Sequence, residues 1–158
     1  MEENKELMLS NEENFKILGF GDLGGNTNTK TQMITNINDD KKIFNLENRV
    51  DCLLNDCVGE AIRVKEVLIK KYEKPLEEPI INDETGEIIK DTELTMSCVI
   101  VDIQEKSYAT GSKTFTIQLM KYLQLRAMRG LENEPFDIKI IKKNIKDSNN
   151  KALSFELI

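Results

Sequence analysis

The sequence predicts a mainly β domain with one principal helix. Runs that alternate apolar with polar residues recur, most clearly over Leu94–Ile103 and Leu153–Leu157. A single long stretch of helical periodicity stands at Lys113–Arg129. Clusters of Gly, Asn, Asp and Pro separate the runs, as turns require.

Residues 1–14 are polar and acidic, with Leu7, Met8 and Leu9 the only aliphatic side chains after Met1, and are expected to form a flexible N-terminal arm. Residues 15–158 are expected to form the domain. Phe15–Leu18 predicts an edge strand, and the Gly-, Asn- and Thr-rich 19–29 stretch predicts a loop. That loop lacks the Lys-Ser/Thr ending of a phosphate-binding P-loop. Thr31–Ile37 and Lys42–Leu46, around the polar Asn38–Lys41, read as a hairpin with Phe44 in its second strand. Arg49–Gly59 reads as a short helical turn closed by glycine.

Glu60–Tyr72 predicts a long strand whose alternation slips after Glu66, as a bulge would cause. Residues 73–93 hold Pro75 and Pro79 and many carboxylates, and predict a long mobile connection. Leu94–Ile103 is the strongest strand, with Leu94, Met96, Cys98 and Ile100 on one face. A turn follows at Asp102–Ser107. Ser112 is placed to cap the helix and Gly130 to end it. Phe115, Leu119, Tyr122, Leu123 and Met128 keep helical spacing, so that face should meet a core. Phe136–Ile145 and Ala152–Ile158 close the chain as two strands around Asp147–Asn150. A strand set, one helix, then two strands is the plan of an OB-fold, a five-stranded Greek-key barrel with its helix between the third and fourth strands. The rival is a helix packed flat on an open antiparallel sheet.

The bulk numbers bound the function. The 158 residues suit one domain, 39% hydrophobic and 32% charged. No run approaches the ~20 apolar residues that cross a bilayer, and the acidic start is unlike an export signal, so a cytoplasmic protein is expected. Cys52, Cys57 and Cys98 form no CxxC and are expected to be reduced thiols in or near the core. The absence of histidine removes the commonest general base and metal ligand. Ser/His/Asp and Cys/His catalysis are thereby excluded, while catalysis by carboxylates or a lysine stays open; with no familiar catalytic constellation in the chain, neither enzyme activity nor a cofactor is expected.

Binding of single-stranded nucleic acid needs cations along a groove and flat rings on which bases stack. Arg63, Lys65, Lys70, Lys71, Tyr72 and Lys74 crowd one strand; Lys139, Lys142, Lys143 and Lys146 line another. Lys41, Lys42 and Phe44 stand in the expected hairpin. Lysines are also ordinary on wet sheet faces, and Phe44 also suits a core. Tyr108–Lys113 places a tyrosine, small hydroxyl residues and a glycine before a helix start, where free N–H groups attract phosphate. An N-cap turn with Tyr108 packed on the rim accounts for the same residues. The candidate nucleic-acid contacts are Phe44, Arg63, Lys65, Lys71, Tyr72, Tyr108, Lys113, Lys139 and Lys142. Asp83, Glu84, Glu87, Asp91 and Glu93 do not follow an EF-hand pattern and read as a solvated tip. The net charge of −6 gathers in 1–14 and 73–93, away from the lysine-rich strands.

From about Leu54 to the C-terminus the chain resembles the single-stranded-DNA-binding proteins of phages and conjugative plasmids of low-GC Gram-positive bacteria. The resemblance is carried by Asn55–Val67, Asp83–Glu87, Val101-Asp102, Ser107–Phe115, the lysine-rich Phe136–Lys143 and Leu153–Leu157. It implies an OB-like fold and sequence-tolerant coating of single strands during replication, recombination or transfer in the bacterial host cytoplasm. Replication or recombination proteins and further copies of the chain are the implied partners. The apolar ending at Leu153–Ile158 departs from the acidic tail by which many single-strand binders recruit partners. Two other classes compete: an interaction module that recruits a protein by strand addition, and a metal-dependent nuclease, which needs converging carboxylates.

Overall fold

The computed structural model describes residues 16–18, 31–145 and 150–158. The expected N-terminal arm, the whole 19–29 loop and most of the final turn lie outside the described residues. In chain order the elements are β1 (Lys16–Leu18), β2 (Thr31–Thr35), α1 (Asp40–Asn48), β3 (Cys52–Leu53), a 3-10 turn (Leu54–Cys57), β4 (Ala61–Ile81), β5 (Ile88–Asp102), β6 (Ser107–Thr110), α2 (Lys113–Met128), β7 (Phe136–Asn144) and β8 (Lys151–Leu157). Among the described residues the chain is mainly β, with two α-helices and one open, mixed sheet. Among the described residues no helix is long and apolar enough to cross a membrane.

β4 organises the sheet. One edge pairs with β5 along most of its length; the other pairs first with β7 (Ala61–Val64) and then with β2 (Leu68–Tyr72). β5 continues to β6 and then to β3, while β7 continues to β8. The expected slip is real: the β4–β5 register shifts between Val64 and Glu66. Asn36 stitches the irregularity, its Oδ1 accepting from Val67 N at 3.0 Å and its Nδ2 donating to Lys65 O at 3.2 Å. Backbone groups freed by the bulge are thus satisfied by a side chain.

Both faces of the central strands are buried. On one side Val64, Val67, Ile69, Cys98 and Ile100 meet Ile138, Ile140 and Phe155 of the closing hairpin. α2 covers this core with Phe115, Leu119 and Leu123, and Phe115 packs edge-on to Phe155 at 5.3 Å. Ser112 Oγ accepts from Phe115 N at 3.2 Å as the expected N-cap, and Gly130 takes a φ of 72° just past the helix end. Met128 departs from the expected core face: it is 79% exposed, one turn beyond the part of α2 that rests on the sheet. Its neighbour Arg126 turns inward instead, donating to the carbonyls of Leu131 and Glu134 at 3.1 and 2.6 Å and lying 4.8 Å from the Phe136 ring. On the other side of the sheet, Ile43 and Leu46 of α1 cover Met33, Leu68, Val99 and Val101.

Two expectations are corrected. Lys42–Leu46 is helix, not the second strand of a hairpin. Asp39 caps it, accepting from Lys41 N at 3.0 Å, and Ile43 and Leu46 supply the i, i+3 spacing that buries one face. Residues 73–93 are not a loose connection. β4 and β5 run on as a two-stranded ribbon to a tight turn, where Gly86 N donates to Asn82 O at 2.8 Å. Pro75 is tolerated because β4 has passed the end of β2 at Tyr72, and among the described residues no strand pairs with its outer edge there. The expected turn over 49–59 is part strand and part 3-10 turn, with β3 pairing in parallel with β6.

Candidate nucleic-acid interface

α1 stops short of the end of the sheet face that it covers. Arg49 takes extended backbone (φ −153°) and its N–H donates to Asn45 O at 2.9 Å, which ends the helix and turns the chain toward β3. Beyond that point no described element covers β4 and β5, leaving a groove of about 490 Å³. Leu46, Arg49 and Val50 form one wall, and Lys70, Tyr72 and Ser97 another. Strand alternation sets Lys70 and Tyr72 on the same face as Leu68. The Lys70 ammonium lies 5.7 Å from the Tyr72 ring centroid and 3.5 Å from Glu47 of α1. The groove therefore offers a half-buried flat ring, two cations and one carboxylate, the kit for one stacked base and its phosphates.

Arg63 and Lys139 are exposed further along the same outward side, at the opposite end of β4. Arg63 is opposite Asp137, and Lys139 is opposite Ala61. Among the described residues neither makes an ion pair. Between these cations and the groove stand α1 and a clasp of charges. Lys42 of α1 bonds Glu66 of β4, and also Glu105 in the β5–β6 turn at 2.7 Å; Lys65 bonds Glu105 as well. The hydrogen bonds from Lys42 and Lys65 hold the Glu105 carboxyl down to about 2. Burial opposes the charge on Lys42, but bonds to Glu105 and Glu66 outweigh it and raise its pKa.

The other candidates divide. Lys65 is spent in the clasp, and Lys113 pairs with Glu93 at 3.6 Å. Lys71 shares the opposite face with Met96, and Lys142 lies past the core on that same inner side. Phe44 is 66% exposed on the outer flank of α1, so it belongs neither to a hairpin strand nor to a core. Tyr108 is corrected: its ring is buried, and its hydroxyl donates to Asp102 Oδ2 at 2.9 Å. Burial and that carboxylate push its pKa strongly upward. It is a packed rim tyrosine and has no free face for a base. Arg49 escapes sequence reasoning, because nothing local shows where α1 ends relative to the sheet. Lys70 stands in the basic run of β4, but only the structure separates it from Lys71.

The cysteines are free thiols, with Cys57 and Cys98 buried and Cys52 half-buried. Burial, helped by Glu60, pushes the Cys57 thiol up to about 11, so it is a poor nucleophile. Among the described residues no group of three or more His, Cys, Asp or Glu side chains could hold a metal ion. No protein-family model, curated protein or solved structure matches the chain.

Proposed function

We propose that this protein binds single-stranded DNA without sequence preference, through an OB-like unit made of β4, β5, β6, β7 and β8. What supports the fold reading is connectivity. Three strands in series are followed by α2 and then by a hairpin whose first strand returns to the first of the three. The observation that carries the functional reading is the groove, in which Tyr72 and Lys70 on the outward face of β4 share the lining with Arg49 at the end of α1. The setting proposed is the bacterial cytoplasm, during replication, recombination or transfer of a phage or plasmid genome, with no catalytic step.

α1 and its clasp interrupt the outward face, so the contact made by one copy is short. Arg49 and Lys70 meet the phosphates that flank the base stacked on Tyr72, and Arg63 and Lys139 form a separate cationic patch beyond α1. The logarithm of affinity then falls by about 0.7 per contacted phosphate for each tenfold rise in salt. Fluorescence anisotropy with labelled single-stranded and duplex oligonucleotides across a salt series tests this. Tyr72→Ala should remove one stacked base, about 1–3 kcal/mol of binding, while leaving stability unchanged. The reading is overturned by no binding at low salt, or by equal affinity of Tyr72→Ala and wild type.

A further inference from the structure

The β4–β5 ribbon beyond Tyr72 is apolar and acidic together. Ile80, Ile81, Ile88 and Ile89 are between 49% and 65% exposed at its tip, a concentration of aliphatic surface that isolated solvent-facing residues do not explain. Residues 73–93 carry eight carboxylates against Lys74 and Lys90. That charge opposes nucleic acid and anionic membrane alike, so the tip suits a partner with an apolar centre and a basic rim.

The chain carries a basic surface, with one exposed aliphatic side chain, at the far end of β4. Pairing of β4 with β7 begins at Ala61 opposite Lys139, and β7 runs on past it with β8 as a second two-stranded ribbon. Lys142, Lys143 and Lys151 are exposed there beside Ile145, itself 45% exposed. The twenty residue steps of β4 between the two ends span at most about 65 Å at the usual strand rise. The acidic apolar end and the basic apolar end thus lie at opposite ends of one continuous strand, held apart by its pairing with β5.

We propose that the tip of the β4–β5 ribbon in one copy docks on the β7–β8 end of the next copy. The two surfaces differ, so the contact is head-to-tail and propagates rather than stopping at a symmetric dimer. This inference does not depend on the DNA-binding reading, and its test contains no nucleic acid.

Sedimentation velocity of the full chain at low salt should show an average mass that rises with concentration and falls back as salt is added. Glu84→Lys with Glu87→Lys reverses the charge of the turn between Ile80 and Ile89, whose carboxylates are Asp83, Glu84 and Glu87; Lys142→Glu with Lys143→Glu puts carboxylates in place of two exposed cations at the basic end. Each double variant alone should self-associate at least about tenfold more weakly than wild type, because like charges then meet. Mixed in equal amounts, the two should assemble again, since each supplies the end that the other has lost. All four positions are exposed, and unchanged circular dichroism checks that each variant folds. A wild-type chain that stays monomeric at every concentration, or variants that do not recover on mixing, overturns the proposal.

Discussion

Between Val67 and Ile69, β4 is covered on both faces; between Glu73 and Ile81, among the described residues, the same strand has one paired edge and almost no cover. The first part owes its conformation to burial. Val67 and Ile69 are driven into the α2 side of the sheet and Leu68 into the α1 side, each removed almost completely from water. The second part owes its conformation to the backbone ladder with β5 and to the turn at Asn82–Glu87, with little apolar surface removed from water. One strand thus holds a stabilising half and a half whose apolar side chains remain free for something else.

The sharpest contrast is in stability. Phe115 is fully buried where α2 meets β8, against Phe155. Phe115→Ala should cost about 3–5 kcal/mol, read as a lower denaturant midpoint at unchanged slope. An unchanged midpoint would mean that α2 does not seal the core, and the distinction between the two parts of β4 would lose its basis.

The two tyrosines repeat the contrast on a smaller scale. Tyr108→Phe removes the hydroxyl that donates to the buried Asp102 carboxylate, and should cost about 1.5–3 kcal/mol in urea unfolding. Tyr72→Phe removes a hydroxyl from a half-buried ring at the groove and should leave stability unchanged. It should also leave oligonucleotide binding nearly intact, since stacking uses the ring. Equal effects of the two substitutions on stability would show that Tyr108 is not held as the structure places it.

What the sequence discloses follows the same division. The start of β4, its slip near Glu66, β5, the capped α2 and the closing hairpin are all legible, because each buries a regular set of side chains. The outer ribbon is not: with neither face covered, nothing selects alternation, and two prolines at a free edge look like a loop. α1 is obscured because two buried residues in nine, Ile43 and Leu46, fit a short strand nearly as well as a helix. In the groove, Tyr72 is legible from the basic run around it. Arg49 depends on where α1 ends, and Tyr108 on a carboxylate six residues earlier that sequence does not show to be its partner.

The clasp gives a pH-dependent test of how α1 is held on the outward face. Glu105 has a folded-state pKa of about 2 against an ordinary 4.5, so between those values the unfolded chain binds more protons. The stabilisation is full above about pH 4.5 and is lost as the pH falls toward 2. Glu105 is half exposed, so solvent screening keeps the contribution below about 1 kcal/mol. Glu105→Gln should lower stability by that amount at neutral pH and flatten its pH dependence below 4.5. An identical acid slope in wild type and variant would show that the pairs to Lys42 and Lys65 do not hold α1.

The smallest expected effect lies at the ribbon tip, and it separates the two roles of apolar surface. Ile88 is opposite Ile81 and is 61% exposed. Replacing it by serine removes little buried area, so the urea midpoint should move by less than about 0.5 kcal/mol. If the isoleucines serve contact between copies, the same Ile88→Ser chain should instead lose concentration-dependent association in sedimentation. A large loss of stability would place Ile88 within the fold's own packing; no change in either measurement would leave the tip without a role in self-association. The expected pattern, stability kept and association lost, reverses the Phe115→Ala pattern, because Phe115 is inaccessible to a partner while Ile88 is 61% exposed.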